Sequence, residues 1–323
     1  MPREFNKPNI YVSKCLGFAS CRFNGLTISS EVVQQLRPFV KYHPVCPEVE
    51  IGLGIPRDPI RLVATNGNVR FMQQNTGIDW GNQMNEFSER FLKTIEVVDG
   101  WILKSRSPSC GINDVKVYPS LGKVASTGKS RGFFGAKVLE KYPELGIEDE
   151  GRLTNFKIRE SFFTRIFTLA SFRQVQRAGI MRKLVQFHAE NKLLLLAYNQ
   201  SQMRILGKIV ANPEKRAFSD LIRDYEAHLL LAFLRLARHA SNINVLLHAF
   251  GYFKKELSSK EKTYFLDSLE QYSHGKIPLS VPIGVIKAWL ARFENEYLAQ
   301  QTFFAPYPDA LVTISDSGKG RKL

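Results

Sequence analysis

The sequence predicts a two-domain protein in which an α/β domain with a parallel sheet precedes an all-helical domain. Through residues 8–150, short β-branched and aromatic runs alternate with helical patterns, as is typical of parallel α/β sheets. Beyond residue 153 the strand signal almost disappears and helical periodicity takes over. The polar segment Glu150–Asn155 separates the two patterns. We therefore predict a Rossmann-like α/β domain over residues 1–152 and an all-α domain over residues 153–323.

Local signals support the elements of the first domain. Ser29-Ser30 precede a helical pattern as N-cap residues, and Asn66-Gly67-Asn68 is a hairpin connection. Phe87, Phe91 and Ile95 form one apolar helical stripe. The predicted elements are strand 9–14, helix 31–40, strand 42–45, strands 60–65 and 69–73, helix 83–98, strand 101–105, helix 133–142 and strand 146–148. A basic loop that carries Lys116, Lys123, Lys129 and Arg131 is expected before the helix at 133–142.

The second domain begins with a basic and aromatic segment, residues 155–175. Glycine and proline residues then separate long helical patterns. The predicted helical stretches are 174–211, 217–240, 241–257, 259–273 and 282–304. The tail from Ser315 is polar and is expected to fray.

The charge balance predicts a polyanionic partner. The net charge is +15 and the pI is about 9.7, without an acidic tail or low-complexity tract. Nucleic acid is the first interpretation and a generally basic surface is the alternative. The first residues lack the apolar core of a signal peptide, and no aliphatic run is long enough to span a bilayer. We therefore expect a cytoplasmic protein that does not enter the membrane, whose four cysteines are ligands or buried thiols rather than disulfides.

Three of the cysteines directly follow predicted strands. Cys15, Cys46 and Cys110 lie in turns rich in glycine, proline and serine, which is unusual for core thiols. Strand–helix loops gather at the carboxyl ends of parallel strands, so these cysteines are predicted to converge on one cofactor. The alternative is that each is a small buried core residue.

The spacing of the thiols leaves two metal centres open. Zinc is commonly bound by paired Cys-x-x-Cys motifs, which this chain lacks, although Cys21 could supply a fourth ligand. A four-iron cluster held by three thiolates tolerates scattered ligands and leaves one iron open.

The cysteines also belong to an ordered series of short motifs along the first domain. These motifs are Val12–Gly17, Cys21–Gly25, Val45–Glu48, Gly52–Arg57 and Leu103–Gly111. Together they resemble the motif series of the thiouracil desulfidase (TudS-like) family. The second half resembles the helical YbgA-like domain that is found fused to it. The matching segments there are Phe187–Lys192, Asn244–Phe253, Ile277–Pro282 and Pro306–Pro308.

The fusion resembles RudS-type enzymes, which desulfurate 4-thiouridine in tRNA. The resemblance implies a [4Fe-4S] cluster on Cys15, Cys46 and Cys110, whose open iron binds the substrate sulfur, and it does not count Cys21 as a ligand. The implied reaction is hydrolytic and non-redox, and it releases hydrosulfide. The expected partners are tRNA and, as a further option, small thiolated pyrimidines such as free 4-thiouracil.

Three further residues are candidates for catalysis. Glu48 lies two residues after Cys46 and is assigned general acid/base work. Ser107 and Ser109 flank Cys110 through Pro108, and they could bond a cluster sulfur or the pyrimidine edge. Alternatively, Glu48 is a solvated carboxylate and the serines are turn-forming residues.

Base modification in folded tRNA requires an opened base and a surface that binds phosphates. The candidate RNA-binding residues are Arg22, Lys104, Arg106, Lys123, Lys129, Arg131, Arg165 and Arg173. The competing functions are a non-catalytic RNA-binding protein with a structural or redox-sensing Fe–S or zinc site, an enzyme restricted to free thiobases, and a cluster enzyme of another class, such as a dehydratase.

Overall fold

The first half of the chain alternates strands and helices. The computed structural model describes residues 4–65 and 67–313. The elements of the first half, in chain order, are β1 (Asn9–Ser13), α1 (Glu31–Leu36), β2 (Lys41–Val45), α2 (Pro47–Glu50), β3 (Ile60–Thr65), β4 (Asn68–Gln73), α3 (Gly81–Lys93), β5 (Gly100–Leu103), β6 (Val115–Tyr118), β7 (Gly128–Ser130), α4 (Phe133–Lys141) and β8 (Gly146–Asp149).

Four of the strands form a fully parallel sheet in the order β2-β1-β5-β8. Its central strands are the most apolar, with Ile10, Val12, Trp101 and Ile102 completely buried. Strands buried on both faces read as continuous apolar runs, which is why 101–103 was recognisable in the sequence. The predicted parallel α/β domain is confirmed.

The other four strands form a second, mixed sheet in the order β4-β3-β6-β7. The predicted β3–β4 hairpin is present, although Asn66 of its turn lies outside the described residues. The expectation of a basic loop before α4 is wrong at two of its four residues, because Lys116 lies in β6 and Lys129 lies in β7. Val115 and Val117 face the core while Lys116 faces solvent, a two-residue alternation that the surrounding charges obscured.

Helices α1 and α3 of the first half end earlier than predicted, and so does the helix predicted over 217–240 in the second half, which ends at Ala232. Helix α1 ends at Leu36, and α3 ends at Lys93 instead of residue 98. At the end of α3 the Thr94 hydroxyl donates to the Phe91 carbonyl oxygen at 2.8 Å. The backbone N–H of Ile95 donates to Leu92, three residues back, so the chain leaves the helix in a tightened turn.

The second half is helical, as predicted. Its helices are α5 (Phe156–Ala178), α6 (Met181–Tyr198), α7 (Gln200–Ala211), α8 (Phe218–Ala232), α9 (His239–Phe253), α10 (Ser259–Ser273), α11 (Ser280–Phe293) and α12 (Glu296–Ala299). The stretch predicted as helical over 174–211 contains parts of three helices. Gly179, at φ +64°, follows the first of them, and the Asn199 side chain caps α7 by accepting the Gln202 N–H.

The chain divides into two compact units, and the division falls within α5. One unit contains Phe5–Ala170 and the chain from Ala310 onward, and the other is built on Ser171–Asp309. The polar tail from Ser315 lies outside the described residues. Across residues 4–65 and 67–313, no helix has both the length and the apolar composition needed to cross a bilayer.

Candidate active site

A cavity of about 320 Å³ lies where the chain leaves β1, β2 and β5. Cys15 follows β1 by two residues, Cys46 directly follows β2, and Cys110 lies in the turn after β5. Because these three strands are parallel neighbours, their carboxyl ends meet at one edge of the sheet. The residues lining the cavity are Ser13, Lys14, Cys15, Cys21, Arg22, Phe23, Val45, Cys46, Glu48, Arg57, Pro59, Ile60, Lys104, Ser105, Arg106, Ser107, Pro108 and Cys110.

All four cysteine thiols are free and line this cavity. The Cys21 thiol is hydrogen-bonded to Cys15 and Cys46, and the Cys46 thiol also approaches the Cys21 carbonyl oxygen at 3.8 Å. Cys15 is half-buried, whereas Cys21, Cys46 and Cys110 are buried. Within the described residues, no three His, Cys, Asp or Glu side chains are arranged to hold a single metal ion.

The environment raises the pKa of the three buried thiols, Cys21, Cys46 and Cys110. The hydrogen bond with Cys15 is the main factor that raises the pKa of Cys21 to about 11. The hydrogen bond with Cys21, followed by burial, raises the pKa of Cys46 far above its usual range. Burial, followed by the Glu48 charge, raises the pKa of Cys110 to about 12. A positively charged metal group would therefore displace protons from the thiols on binding.

Hydroxyl groups surround the Cys110 sulfur. The Ser109 hydroxyl lies 3.6 Å from Sγ, and hydrogen bonds from Ser13 and Ser109 both lower the Cys110 pKa, in opposition to burial. The Ser107 and Ser109 hydroxyl oxygens are 2.9 Å apart, and Ser107 Oγ accepts the Cys110 backbone N–H at 3.2 Å. Ser107 lines the cavity, whereas Ser109 is fully buried behind it.

The first turn of α4 holds the Cys110 turn in place through the backbone. The N–H groups of Gly132, Phe133 and Gly135 donate to the carbonyl oxygens of Gly111, Pro108 and Ser109, at 2.7–3.0 Å. This close approach requires glycine. A Cβ atom at Gly135 would lie 2.6 Å from the Gly111 carbonyl oxygen, and one at Gly132 would lie 2.5 Å from that of Ser109.

Gly135→Ala should therefore destabilise the α/β unit and displace Cys110. The added methyl group meets backbone atoms, which cannot rotate away, so we expect a loss of about 1–3 kcal/mol. Chemical denaturation followed by circular dichroism measures the change. The matched control is Gly128→Ala, because a Cβ atom there has no neighbour within 4 Å. Equal unfolding midpoints for the two variants would contradict the packing argument.

Glu48 and Arg57 form an ion pair in the cavity wall. Arg57 Nη2 lies 2.9 Å from Glu48 Oε2, and the two side chains are only 5% and 15% exposed, respectively. Arg57 Nη1 also donates to the carbonyl oxygens of Cys21 at 3.0 Å and Gly54 at 3.3 Å. Arg57 thus fixes both the carboxylate and the Cys21 loop. The sequence alone gave Arg57 no role, although Arg57 is the last residue of the Gly52–Arg57 motif.

A second carboxylate, Glu150, binds the two residues that directly follow β5. It accepts hydrogen bonds from the Ser105 backbone N–H at 2.8 Å, the Ser105 hydroxyl at 2.7 Å and Lys104 Nζ at 2.5 Å. The charge of Lys104 is therefore compensated inside the cavity wall. Arg106 follows in the left-handed region at φ 59°, where Asp114 accepts its backbone N–H at 2.9 Å. Its side chain is 80% exposed.

The structure distributes the predicted RNA-binding residues over several environments. Arg22, Lys104 and Arg106 line the thiol cavity. Lys129 and Arg131 line a second cleft, of about 600 Å³, and Lys123 is exposed elsewhere on the surface.

The last two candidates are partly or fully buried. Arg165 is half-buried and donates to the Glu144 carbonyl oxygen, and Arg173 is buried. The buried side chain of Arg173 is therefore not on the protein surface.

Known proteins resemble both halves of this chain in sequence. A family model described as 2-thiouracil desulfurase matches residues 10–150. The uncharacterized protein YbbK of Bacillus subtilis (strain 168) is 32% identical over 114 residues, which cover 32% of this chain and 72% of that protein. The chain belongs to the 2-thiouracil desulfurase family. The four cysteines, Glu48 and Arg57 all lie within the residues that the desulfurase model matches.

The remaining comparisons extend beyond the desulfurase residues. A model for a protein family of unknown function, DUF1722, matches residues 192–308. The uncharacterized protein YbgA of Escherichia coli (strain K12) is 28% identical over 161 residues, or 49% of this chain and 95% of that protein. A solved [4Fe-4S]-dependent thiouracil desulfidase, TudS, is 25% identical and covers 46% of this chain and 93% of its own, with a TM-score of 0.37. The predicted combination of a desulfurase with a YbgA-like domain is confirmed.

Proposed function

We propose that this desulfurase converts 4-thiouridine in tRNA to uridine by hydrolysis. Water supplies the new carbonyl oxygen, the sulfur leaves as hydrosulfide, and no electrons are transferred. The observation that supports the proposal best is the convergence of three strand-end thiols with an ion-paired carboxylate and a hydroxyl group around one cavity. At about 320 Å³, the cavity is within the usual size range of small-molecule sites.

Cys15, Cys46 and Cys110 are the proposed ligands of a [4Fe-4S] cluster. Their thiolates are soft donors, they come from three separate turns, and they line the same cavity. When bound by three thiolates, such a cluster supplies a Lewis-acidic iron without a protein ligand, which suits a thiocarbonyl sulfur. Ser13 and Ser109 favour the thiolate form of Cys110 by hydrogen bonding. Cys21 is a hydrogen-bonding neighbour of the other thiols rather than a ligand.

Glu48 is the proposed general base. Its carboxylate lines the cavity and is oriented by Arg57, so it can take a proton from the attacking water and later return one to the leaving sulfur. The ion pair with Arg57 holds Glu48 Oε2 at 2.9 Å from Arg57 Nη2 and so fixes the carboxylate in the cavity wall. Arg57 acts here as a positioning residue.

The hydroxyl protons around Cys110 suggest distinct roles for the two serines. If Ser109 donates to the Cys110 sulfur, it accepts the Ser107 proton across their 2.9 Å hydrogen bond. Ser107 Oγ then accepts the Cys110 N–H and keeps one lone pair for the cavity. Ser107 can use that lone pair to accept an N–H from the pyrimidine edge. Ser109 supports the ligand sulfur.

The proposed tRNA substrate follows from the charge of the chain. The net charge of +15 exceeds what a site for a small neutral base requires, and the exposed Arg106 lines the cavity itself. We propose that residues 1–152 form the desulfurase domain and that residues 153–323 bind tRNA or position it. The proposed location is the cytoplasm, where free thiols persist.

Turnover and binding of thiolated tRNA test this function. Anaerobically purified protein should remove the near-ultraviolet absorbance of 4-thiouridine from tRNA and release hydrosulfide. The Kd for tRNA should rise with salt, by about 10³-fold between 50 and 200 mM if roughly six phosphates are contacted. The KM for free 4-thiouracil should hardly change over that range, because the free base carries no phosphate. Binding of tRNA without loss of sulfur would favour the non-catalytic alternative, and turnover of the free base alone would favour a thiobase enzyme.

A further inference from the structure

Phe23 is an aromatic side chain that both lines the thiol cavity and is open to solvent. It is 40% exposed. Single exposed apolar side chains are common on protein surfaces and need no explanation by themselves. Phe23 differs in its location, because no other exposed large apolar side chain of residues 4–65 and 67–313 lines this cavity. A planar ring in the wall of the proposed active site is a surface on which a flat ligand can stack.

The backbone on both sides of Phe23 is fixed. The Arg57 N–H donates to the Phe23 carbonyl oxygen at 2.8 Å, and the Gly25 N–H closes a turn on the Arg22 carbonyl oxygen at 2.9 Å. Arg57 Nη1 binds the Cys21 carbonyl oxygen two residues earlier in the same loop. Because Arg57 also holds Glu48, the Phe23 loop and the proposed general base share one anchor. Such preorganisation lowers the entropic cost of binding a ligand.

The guanidinium of Arg22 lies beside the ring of Phe23. The guanidinium carbon lies 5.6 Å from the Phe23 ring centroid, within the usual range of a cation–π contact, and Arg22 lines the cavity as well. Aromatic rings and guanidinium groups are the side chains on which unstacked RNA bases stack. The Phe23 ring and the Arg22 guanidinium together therefore suit an unstacked base of a nucleic acid, whose backbone carries phosphates.

We infer that Phe23 stacks against the thiolated pyrimidine while the substrate occupies the cavity. This inference rests on the proposed function and adds the side chain that recognises the face of the base. A base taken out of a tRNA stack loses its neighbours, and a new aromatic partner offsets part of that loss. Phe23 is a binding residue, since it supplies no proton, charge or ligand to the reaction.

The test compares the wild type with Phe23→Ala, Phe23→Tyr and Leu26→Ala. Phe23→Ala should raise KM by about 5- to 100-fold, the range expected for the loss of one base–aromatic stack. Its kcat should stay within about twofold, because stacking holds the ground state and the transition state alike. Phe23→Tyr keeps the ring and should restore KM. Leu26 is 56% exposed in the same loop and does not line the cavity, so Leu26→Ala should match the wild type.

Both thiolated tRNA and free 4-thiouracil serve as substrates in this comparison. A KM increase on both is expected, because the contact is with the base. Wild-type KM for Phe23→Ala on both substrates, or an increase on tRNA alone, would overturn the inference while leaving the desulfurase function intact. An increase that Phe23→Tyr fails to reverse would overturn it as well. Wild-type and Leu26→Ala proteins that turn over neither substrate would overturn the proposed function, and this inference with it.

Discussion

Cys110→Ala should leave the protein without a stable [4Fe-4S] cluster and without desulfurase activity. The proposed cluster has only three protein ligands, so removing one leaves two thiolates and a second iron without a protein ligand. Cys110 is also the sulfur that Ser13 and Ser109 bond, so the substitution leaves both hydroxyls without that partner. Iron and acid-labile sulfide per chain, measured after anaerobic reconstitution, report the cluster. Loss of 4-thiouridine absorbance reports the activity.

The matched control for this experiment is Cys21→Ala. Cys21 lines the same cavity and is hydrogen-bonded to two of the proposed ligands, but it is not itself a proposed ligand of the cluster. Cys21→Ala should therefore bind about four irons per chain, the same number that we expect for the wild type. Full activity of Cys110→Ala would refute the ligand assignment. One zinc per chain in the wild type, lost in Cys21→Ala, would establish the four-thiolate zinc site instead.

The convergence of the cysteines could be predicted because it depends on topology alone. Cys15, Cys46 and Cys110 each follow a strand that the sequence predicts, and parallel strands that alternate with helices place such positions at one sheet edge. The second sheet was harder to predict. Its strands β6 and β7 are short and carry lysines, and β7 has almost no buried surface. The lysines therefore mask the alternation of buried and exposed residues by which a strand is recognised in a sequence.

Long-range polar pairs could not be predicted in the same way. Arg57 follows Glu48 by nine residues, yet nothing in the spacing indicates that they pair, because the end of α2 and an irregular segment separate them. The ion pair of Lys104 could not be predicted either, because its partner Glu150 lies 46 residues away in the sequence. A list of basic residues does not show which charges are already paired. Arg106 also has a carboxylate partner, since its Nε lies 3.6 Å from Asp114 Oδ2, but its side chain is 80% exposed whereas that of Lys104 is 19% exposed.

Glu48→Gln should reduce kcat by about 10²- to 10⁴-fold, the usual range for the loss of a general acid or base. The amide keeps the shape of the carboxylate but cannot take a proton from water. KM should change little, because no contact between Glu48 and the bound base is proposed. Initial rates with thiolated tRNA and with free 4-thiouracil measure both constants. Glu50→Gln is the matched control, since Glu50 is exposed in the same helix and does not line the cavity.

The same substitution affects stability for a separate reason, and a double-mutant cycle separates the two effects. Glu48→Gln leaves the nearly buried Arg57 guanidinium without its counter-charge, which should cost about 3 kcal/mol. Arg57→Gln, added to Glu48→Gln, removes that unpaired charge and should recover part of the stability. It should recover none of the activity, because the missing proton acceptor is still missing. Recovery of kcat in the double variant would show that Glu48 serves the fold rather than the reaction.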